Sequence, residues 1–251
     1  MYQTFDQTAI RALLGIDEAD DPAGLVLHGT YNMPTHARRW RDRLTRARVA
    51  ARAFNIVVGE ADGVTLWYAP VLGAPMAAMA VHCAAALGAR SIVQIGSFGG
   101  TRRGMAVGDL LLVTGAGRGE AASDWYLPKE VDAVADACLT ERLRRGLAEG
   151  GLAWHEGRVF TTPAFMAERW EDILRWEGEG YAGVEMEAAT TLSVTAHFGV
   201  PAACLLYLLD NLIEEHHVLS TTDEDRRRVL AARCVVEELA LQTVAAMAAQ
   251  P

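Results

Sequence analysis

The chain has 251 residues, about half of them apolar (51%), with a formal net charge of −9. That length and apolar content suit one sizeable core, and the acidic balance argues against nucleic acid or an anionic membrane as partner. Four scattered cysteines (Cys83, Cys138, Cys204, Cys234) give neither a zinc spacing nor a disulfide framework, and three of them in apolar runs read as buried thiols.

Residues 1–16 hold acids and lack the basic-then-apolar profile of a signal peptide, and no apolar run reaches membrane-span length, so a soluble cytoplasmic protein is expected. Residues 25–28 are short, apolar and stopped by Gly29, as a buried strand would be. An arginine-rich helix follows over 34–48, with Trp40 and Leu44 on one side. Residues 54–58 and 64–69 flank Glu60-Ala61-Asp62-Gly63, a hairpin pattern. Residues 75–87 are Ala/Met-rich at helical period. Residues 91–95 read as a strand ending in a glycine turn, Gly96-Ser97-Phe98-Gly99-Gly100. Such a turn can offer N–H groups to an anion, yet it carries neither a dinucleotide fingerprint nor a P-loop lysine.

Strands are expected over 110–114, 159–162 and 202–209, and helices over 131–149, 188–198 and 226–249. Strands interleaved with helices, without linker or repeat, predict one α/β domain over 1–251, a mixed sheet covered by helices on both faces.

Two placements fit a core poorly. In Gly183-Val184-Glu185-Met186-Glu187-Ala188-Ala189, two carboxylates flank a methionine just before a helix; in Leu208-Leu209-Asp210-Asn211, a lone acid ends an apolar run. An unpaired buried carboxylate costs several kcal/mol, so such acids meet a ligand, an arginine or backbone donors. A solvated helix start, where negative charge suits the macrodipole, explains the glutamates equally well. His216-His217 has no acid or cysteine at ligand spacing and reads as loop surface, so no metal is implied.

Taken together, Gly96-Ser97-x-Gly99, Gly108-Asp109, Ala122-Ser123-x-x-Tyr126-x-Pro128, Val184-Glu185-Met186-Glu187-Ala188-Ala189 and Asp210, in this order, resemble the nucleoside phosphorylase superfamily, the branch of bacterial purine nucleoside and uridine phosphorylases. The match runs from about residue 25 to about residue 228. The resemblance implies cleavage of a nucleoside's N-glycosidic bond with sugar transfer to phosphate as co-substrate, and no organic cofactor. It implies that Glu187 holds the sugar hydroxyls and Met186 packs on the sugar. Phe165 would stack on the base, with Glu185 beside base and sugar. Asp210 would protonate the leaving base, assisted by Arg226, and because the uridine branch lacks this acid, a purine-like base is implied. Gly96 and Ser97 would border the phosphate, and Arg52 would reach a neighbouring subunit's site in a homo-oligomer.

The chain also departs from the pattern. Gln94 stands where one phosphate arginine is expected, and His36 falls near the place of the second. Losing two charged hydrogen bonds weakens phosphate by about 3–6 kcal/mol, on the order of 10²–10⁴-fold. His36 charging near neutral pH, or Arg38, Arg39, Arg102 and Arg103, offers compensation. Phe98 replaces a small residue beside sugar and base, and no histidine lies near the amino terminus to meet the sugar's 5′ group. Three readings follow: a phosphorylase with a rebuilt anion site, a nucleosidase that uses water, or a nucleoside binder without catalysis. Family pattern puts phosphorolysis first.

Overall fold

The computed structural model describes residues 5–50, 52 and 55–250. Strand β1 (Gly24–Gly29) runs parallel to β4 (Val64–Val71) on one side and β5 (Ile92–Gly100) on the other. Outside β4 lie β3 (Val57–Ala61) and the edge strand β2 (Thr45–Val49), both antiparallel. The hairpin prediction holds: Ala61 pairs with Val64, and Asp62 and Gly63 turn at φ 50° and 80°, the doubly left-handed geometry Asp-Gly supplies.

The other half of the sheet closes on itself. Strand β5 pairs with β10 (Ala202–Asn211), β10 with β6 (Leu110–Arg118), β6 with β8 (Trp154–Thr161), β8 with β9 (Tyr181–Glu185), and β9 again with β5. Short β7 (Ala133–Val134) adds to β6. Closing so small a ring needs sharp curvature, and three of its ladders carry a register shift, at Leu208/Asp210, Val113/Gly115 and Arg158/Val159.

Helices cover both faces, as expected. Helices α1 (Gln7–Leu14), α3 (Ala74–Ala86) and α6 (Ala188–Phe198) bury Leu14, Val81 and Leu192 with Leu25, Phe98 and Leu206. On the opposite face α2 (Met33–Arg43), α4 (Ala137–Glu149) and α7 (Asp223–Ala248) bury Trp40, Leu143 and Val236 with Val26, Ile95 and Leu205. Helix α5 (Trp170–Gly178) packs Ile173 and Trp176 against Val184 and Ile213.

Several boundaries differ from expectation. The helix expected over 34–48 stops at Arg43, because Leu44 turns extended and Thr45–Val49 is drawn off as an edge strand on β3. Expected strand 54–58 begins at Val57, and Phe54 lies outside the described residues. The helix predicted from 131 starts at Ala137, where Asp136 accepts the Leu139 N–H as an N-cap. Residues 96–100 are no turn: β5 continues through Gly100, and the glycines are there for closeness, since a Cβ on Gly96 would lie 3.0 Å from the Gly29 carbonyl oxygen. All four cysteines are free, with Cys83 and Cys204 buried and Cys138 and Cys234 exposed. Among the described residues, no helix is long and apolar enough to cross a membrane.

Candidate active site

The carboxyl ends of β1, β5, β9 and β10 come together, and the acids singled out in the sequence arrive there from separate strands. Asp210 does so through the bulge in β10. Leu208 pairs with Phe98, but Asp210, two residues on, pairs with the next residue, Gly99. The extra residue turns Asp210 away from the face of Leu208 and Phe98 and onto that of Ser97 and Gly99. Burial raises its carboxyl to about 6, offset in part by the Val218 N–H and the nearby His216 and His217.

Glu187 is held between two glycines. Gly73, at φ 80°, donates its N–H to Glu187 Oε1 at 2.6 Å, and a Cβ on Gly29 would run into Glu187 Oε2. Burial, and then the neighbouring Glu185 charge, push this carboxyl up to about 8. Met186 reaches over Gly73, its Cε 3.9 Å from where a Cβ would sit.

Glu185 departs from the base-side place implied for it. Thr161 Oγ1 donates to Oε1 at 2.5 Å, while Gln94 Nε2, Glu187 N and Ala188 N donate to Oε2 at 2.9, 2.8 and 2.7 Å. Thr161 Oγ1 also accepts the Ala189 N–H at 2.9 Å. The first free N–H groups of α6 are therefore capped by a buried carboxylate and a threonine, so the helix-start reading is the right one here, though buried rather than solvated. Glu185→Ala strands four donors and should destabilise the fold by about 3–5 kcal/mol, read as a lowered denaturation midpoint. Unchanged stability would remove it from this role.

Other expected residues are used elsewhere. Gln94 is spent on Glu185. Phe98, 2% exposed, packs over the Gly183 backbone inside the core, because it alternates with Ser97 along β5 and so faces away from it. Ser97 is half-buried and pairs with Tyr207 across β5 and β10, its hydroxyl beside the phenol. Arg226 does not reach Asp210; it lies in the first turn of α7, ion-paired with Asp223, with Nη2 3.4 Å from the Thr221 carbonyl. Arg52 is exposed, its N–H on the Leu14 carbonyl.

His36 is corrected most clearly. It is buried on α2 behind β1, its ring 4.5 Å from that of His28, and burial plus the charges of Arg233 and Arg39 lower it to about 4. It is neutral at physiological pH, so it cannot hold phosphate by charge. His28, His36 and Glu237 bring ligand-type atoms within 4.8 Å of one another. Arg39 and Arg43 lie 3.1 and 3.4 Å from Glu237 Oε2, and Arg233 lies 3.9 Å from Oε1. Three guanidinium charges there oppose a dication. The remaining candidate cations are also engaged: Arg38 is near Thr35, Arg102 donates to the Glu156 carbonyl and Arg103 pairs with Glu177.

Two residues at the mouth escaped sequence reading. Tyr31, 57% exposed, meets Phe165 edge-to-face with centroids 5.5 Å apart. Its hydroxyl is raised by burial and by the charges of Glu187, Glu168 and Asp210. Glu168 lines a cleft of about 460 Å³ with Phe165, Trp170, His216 and His217, so the histidine pair borders a cavity rather than plain loop surface. Neither Tyr31 nor Glu168 sits in a pattern that spacing or periodicity could single out. The assembled site thus holds an aromatic wall, a half-buried serine, and the acids Asp210, Glu168 and Glu187, able to carry protons near neutral pH and to stabilise positive charge.

A sequence model of the phosphorylase superfamily matches residues 31–245. The chain is 27% identical to the guanosine phosphorylase of Halorubrum lacusprofundi over 175 residues, 69% of this chain and 73% of the relative. It is 27% identical to the uridine phosphorylase of Thermococcus kodakarensis over 176 residues, 64% of each chain. It is 31% identical to a DeoD-type purine nucleoside phosphorylase of Hahella chejuensis over 139 residues, 55% of this chain and 58% of the relative. The fold is that of a crystallised uridine phosphorylase from Vibrio fischeri, with TM-score 0.81, 20% identity, and coverage of 97% of this chain and 99% of that one.

Proposed function

The chain belongs to the phosphorylase superfamily, and from that premise we propose that it cleaves the N-glycosidic bond of a purine-like nucleoside, releasing free base and passing the sugar to phosphate. The observation that carries this reading is that Asp210, at the end of β10, and Glu187, just past β9, both act on Tyr31 at the mouth. One carboxyl raised to about 6 can hand a proton to a departing base, and the other, between Gly29 and Gly73, is placed to hold sugar hydroxyls. The sugar gains positive charge as the bond stretches; that charge favours ionisation of Glu187, whose carboxylate then stabilises it. Phe165 and Tyr31 offer stacking surfaces for the base, and Met186 an apolar contact for the sugar. Phosphorylases of guanosine, uridine and purine nucleosides among the relatives support phosphorolysis, and the acid at Asp210 favours a purine. We further propose a cytoplasmic homo-oligomer in which Arg52 enters a neighbour's site.

A second reading, hydrolysis, has a specific observation behind it. Gln94 and His36 replace two expected cations, and Arg38, Arg39, Arg102 and Arg103 are engaged with Thr35, Glu237, the Glu156 carbonyl and Glu177. Water needs no cationic cradle. Base release from a panel of purine and pyrimidine nucleosides, assayed with and without phosphate, separates the two. Phosphorolysis requires that release stop when phosphate is removed and that sugar 1-phosphate appear when it is present. Equal release without phosphate assigns water as acceptor, and no release from any nucleoside rejects catalysis.

A further inference from the structure

The proposed chemistry leaves Glu168, a half-buried acid of the cleft, without a task. It stands just before α5, within the stretch that carries Phe165, and it lines the same cleft. Its Oε1 is buried without a hydrogen-bond partner among the described residues. The adjacent Arg169 does not neutralise it, because that guanidinium turns to Asp172, with Nε 3.1 Å from Oδ2. A buried acceptor left open beside an aromatic wall is costly unless something completes it.

The surroundings indicate what that is. The charges of Asp210, at the end of β10, and Asp172, on α5, both act on Glu168. From the loop after β10 come Glu215 and the two histidines, and Tyr31 approaches from the loop after β1. No lysine lines the cleft, and its arginine is the one paired with Asp172. A phosphate-bearing edge of a ligand would be repelled here, whereas a neutral base edge would fit.

We propose, resting on the reading above that Asp210 protonates the departing purine, which takes that proton at N7, that Glu168 reads the substituent at purine position 6, donating to a 6-oxo group and accepting from a 6-amino group. The chemistry of the base makes these two sites neighbours. Guanine-type bases present N7 and O6 as adjacent acceptors; adenine presents N7 as acceptor and the 6-amino group as donor. A carboxyl can answer both, but in opposite protonation states. Burial, then the charges of Asp210 and Asp172, raise Glu168 to about 7, so both states are populated at neutral pH. The protein then prefers 6-oxopurine nucleosides on the acid side and 6-aminopurine nucleosides on the alkaline side.

The test is the ratio of kcat/KM for inosine to that for adenosine, followed from about pH 6 to about pH 8. Taking a ratio cancels the titration of Asp210, Glu187 and the two histidines, which both substrates share. The ratio of protonated to ionised carboxyl changes tenfold per pH unit, so the preference should shift by roughly 100-fold across this range. In Glu168→Gln the amide donates and accepts at every pH, and the ratio should vary less than about threefold. The same comparison is made for the dissociation constants of hypoxanthine and adenine, which need no turnover. A wild-type ratio that stays flat, a Glu168→Gln ratio that shifts as in wild type, or failure of both bases to bind would overturn the assignment. If bases bind with the expected shift but no nucleoside is cleaved, the catalytic reading fails and the base-reading role stands.

Discussion

Asp210→Asn is expected to lower kcat for a purine nucleoside by about 10²–10⁴-fold while KM changes only a few-fold. The asparagine keeps the size of the side chain and its place beside Gly99, but it has no proton to deliver as the base departs. The pH profile gives the sign. Desolvation raises the carboxyl to about 6, so the acid form that catalysis needs is present below that value and is lost as pH rises through it. Wild-type kcat should therefore carry an alkaline limb with a midpoint near 6, and the variant should lack it. Steady-state rates of base release over pH 5 to 8 measure both. Turnover in the variant equal to wild type would take Asp210 out of the mechanism.

Glu187→Gln should reduce kcat/KM by on the order of 10–10²-fold, through loss of one charged or strongly polar hydrogen bond to the sugar. The same change should stabilise the folded protein at alkaline pH. Burial and the Glu185 charge raise this carboxyl from an ordinary 4.5 to about 8. The folded state thus keeps a proton that the unfolded chain gives up, and stability declines as pH climbs from about 4.5 to about 8. A glutamine removes that slope. The gain at pH 8 should be about 1–3 kcal/mol, a rise in Tm of several degrees for a chain of this size, with little gain at pH 5. A variant as active as wild type, or one whose Tm tracks wild type at both pH values, would contradict the placement. A site that weakens its own fold to hold an acid ready for a ligand is expected where function and stability compete.

These results bear on the acceptor. An acid-lined cleft disfavours a phosphate dianion once its carboxyls ionise, and a cation from outside the subunit's own site would offset this. Arg52 is exposed and paired through its backbone to α1 rather than to the site. Its proposed reach into a neighbour therefore links the acceptor question to assembly: phosphate dependence and oligomerisation should be lost together in Arg52→Ala.

Much of the architecture could be read from the chain alone, and the reasons are local. Asp62-Gly63 sets a doubly left-handed turn, the apolar runs at 25–28, 110–114 and 202–209 mark strands, and the Ala-rich period before Leu87 marks α3. Each is a property of a few adjacent residues, as is the motif order that identified the family and singled out Glu187 and Asp210. The rest depended on partners far away in the chain. Gly96 to Gly100 became strand only because β1, β9 and β10 approach there, and the β10 bulge alone chose the face on which Asp210 lies. Glu185 was given to α6 by donors on β5 and β8, His36 to the back of β1, and Arg226 to Asp223. Tyr31 and Glu168 entered the site with no pattern to announce them. A residue's intrinsic preference is carried by its neighbours in sequence, but which face it shows, and whether its charge survives burial, is set by contacts that exist only once the ring of strands has closed.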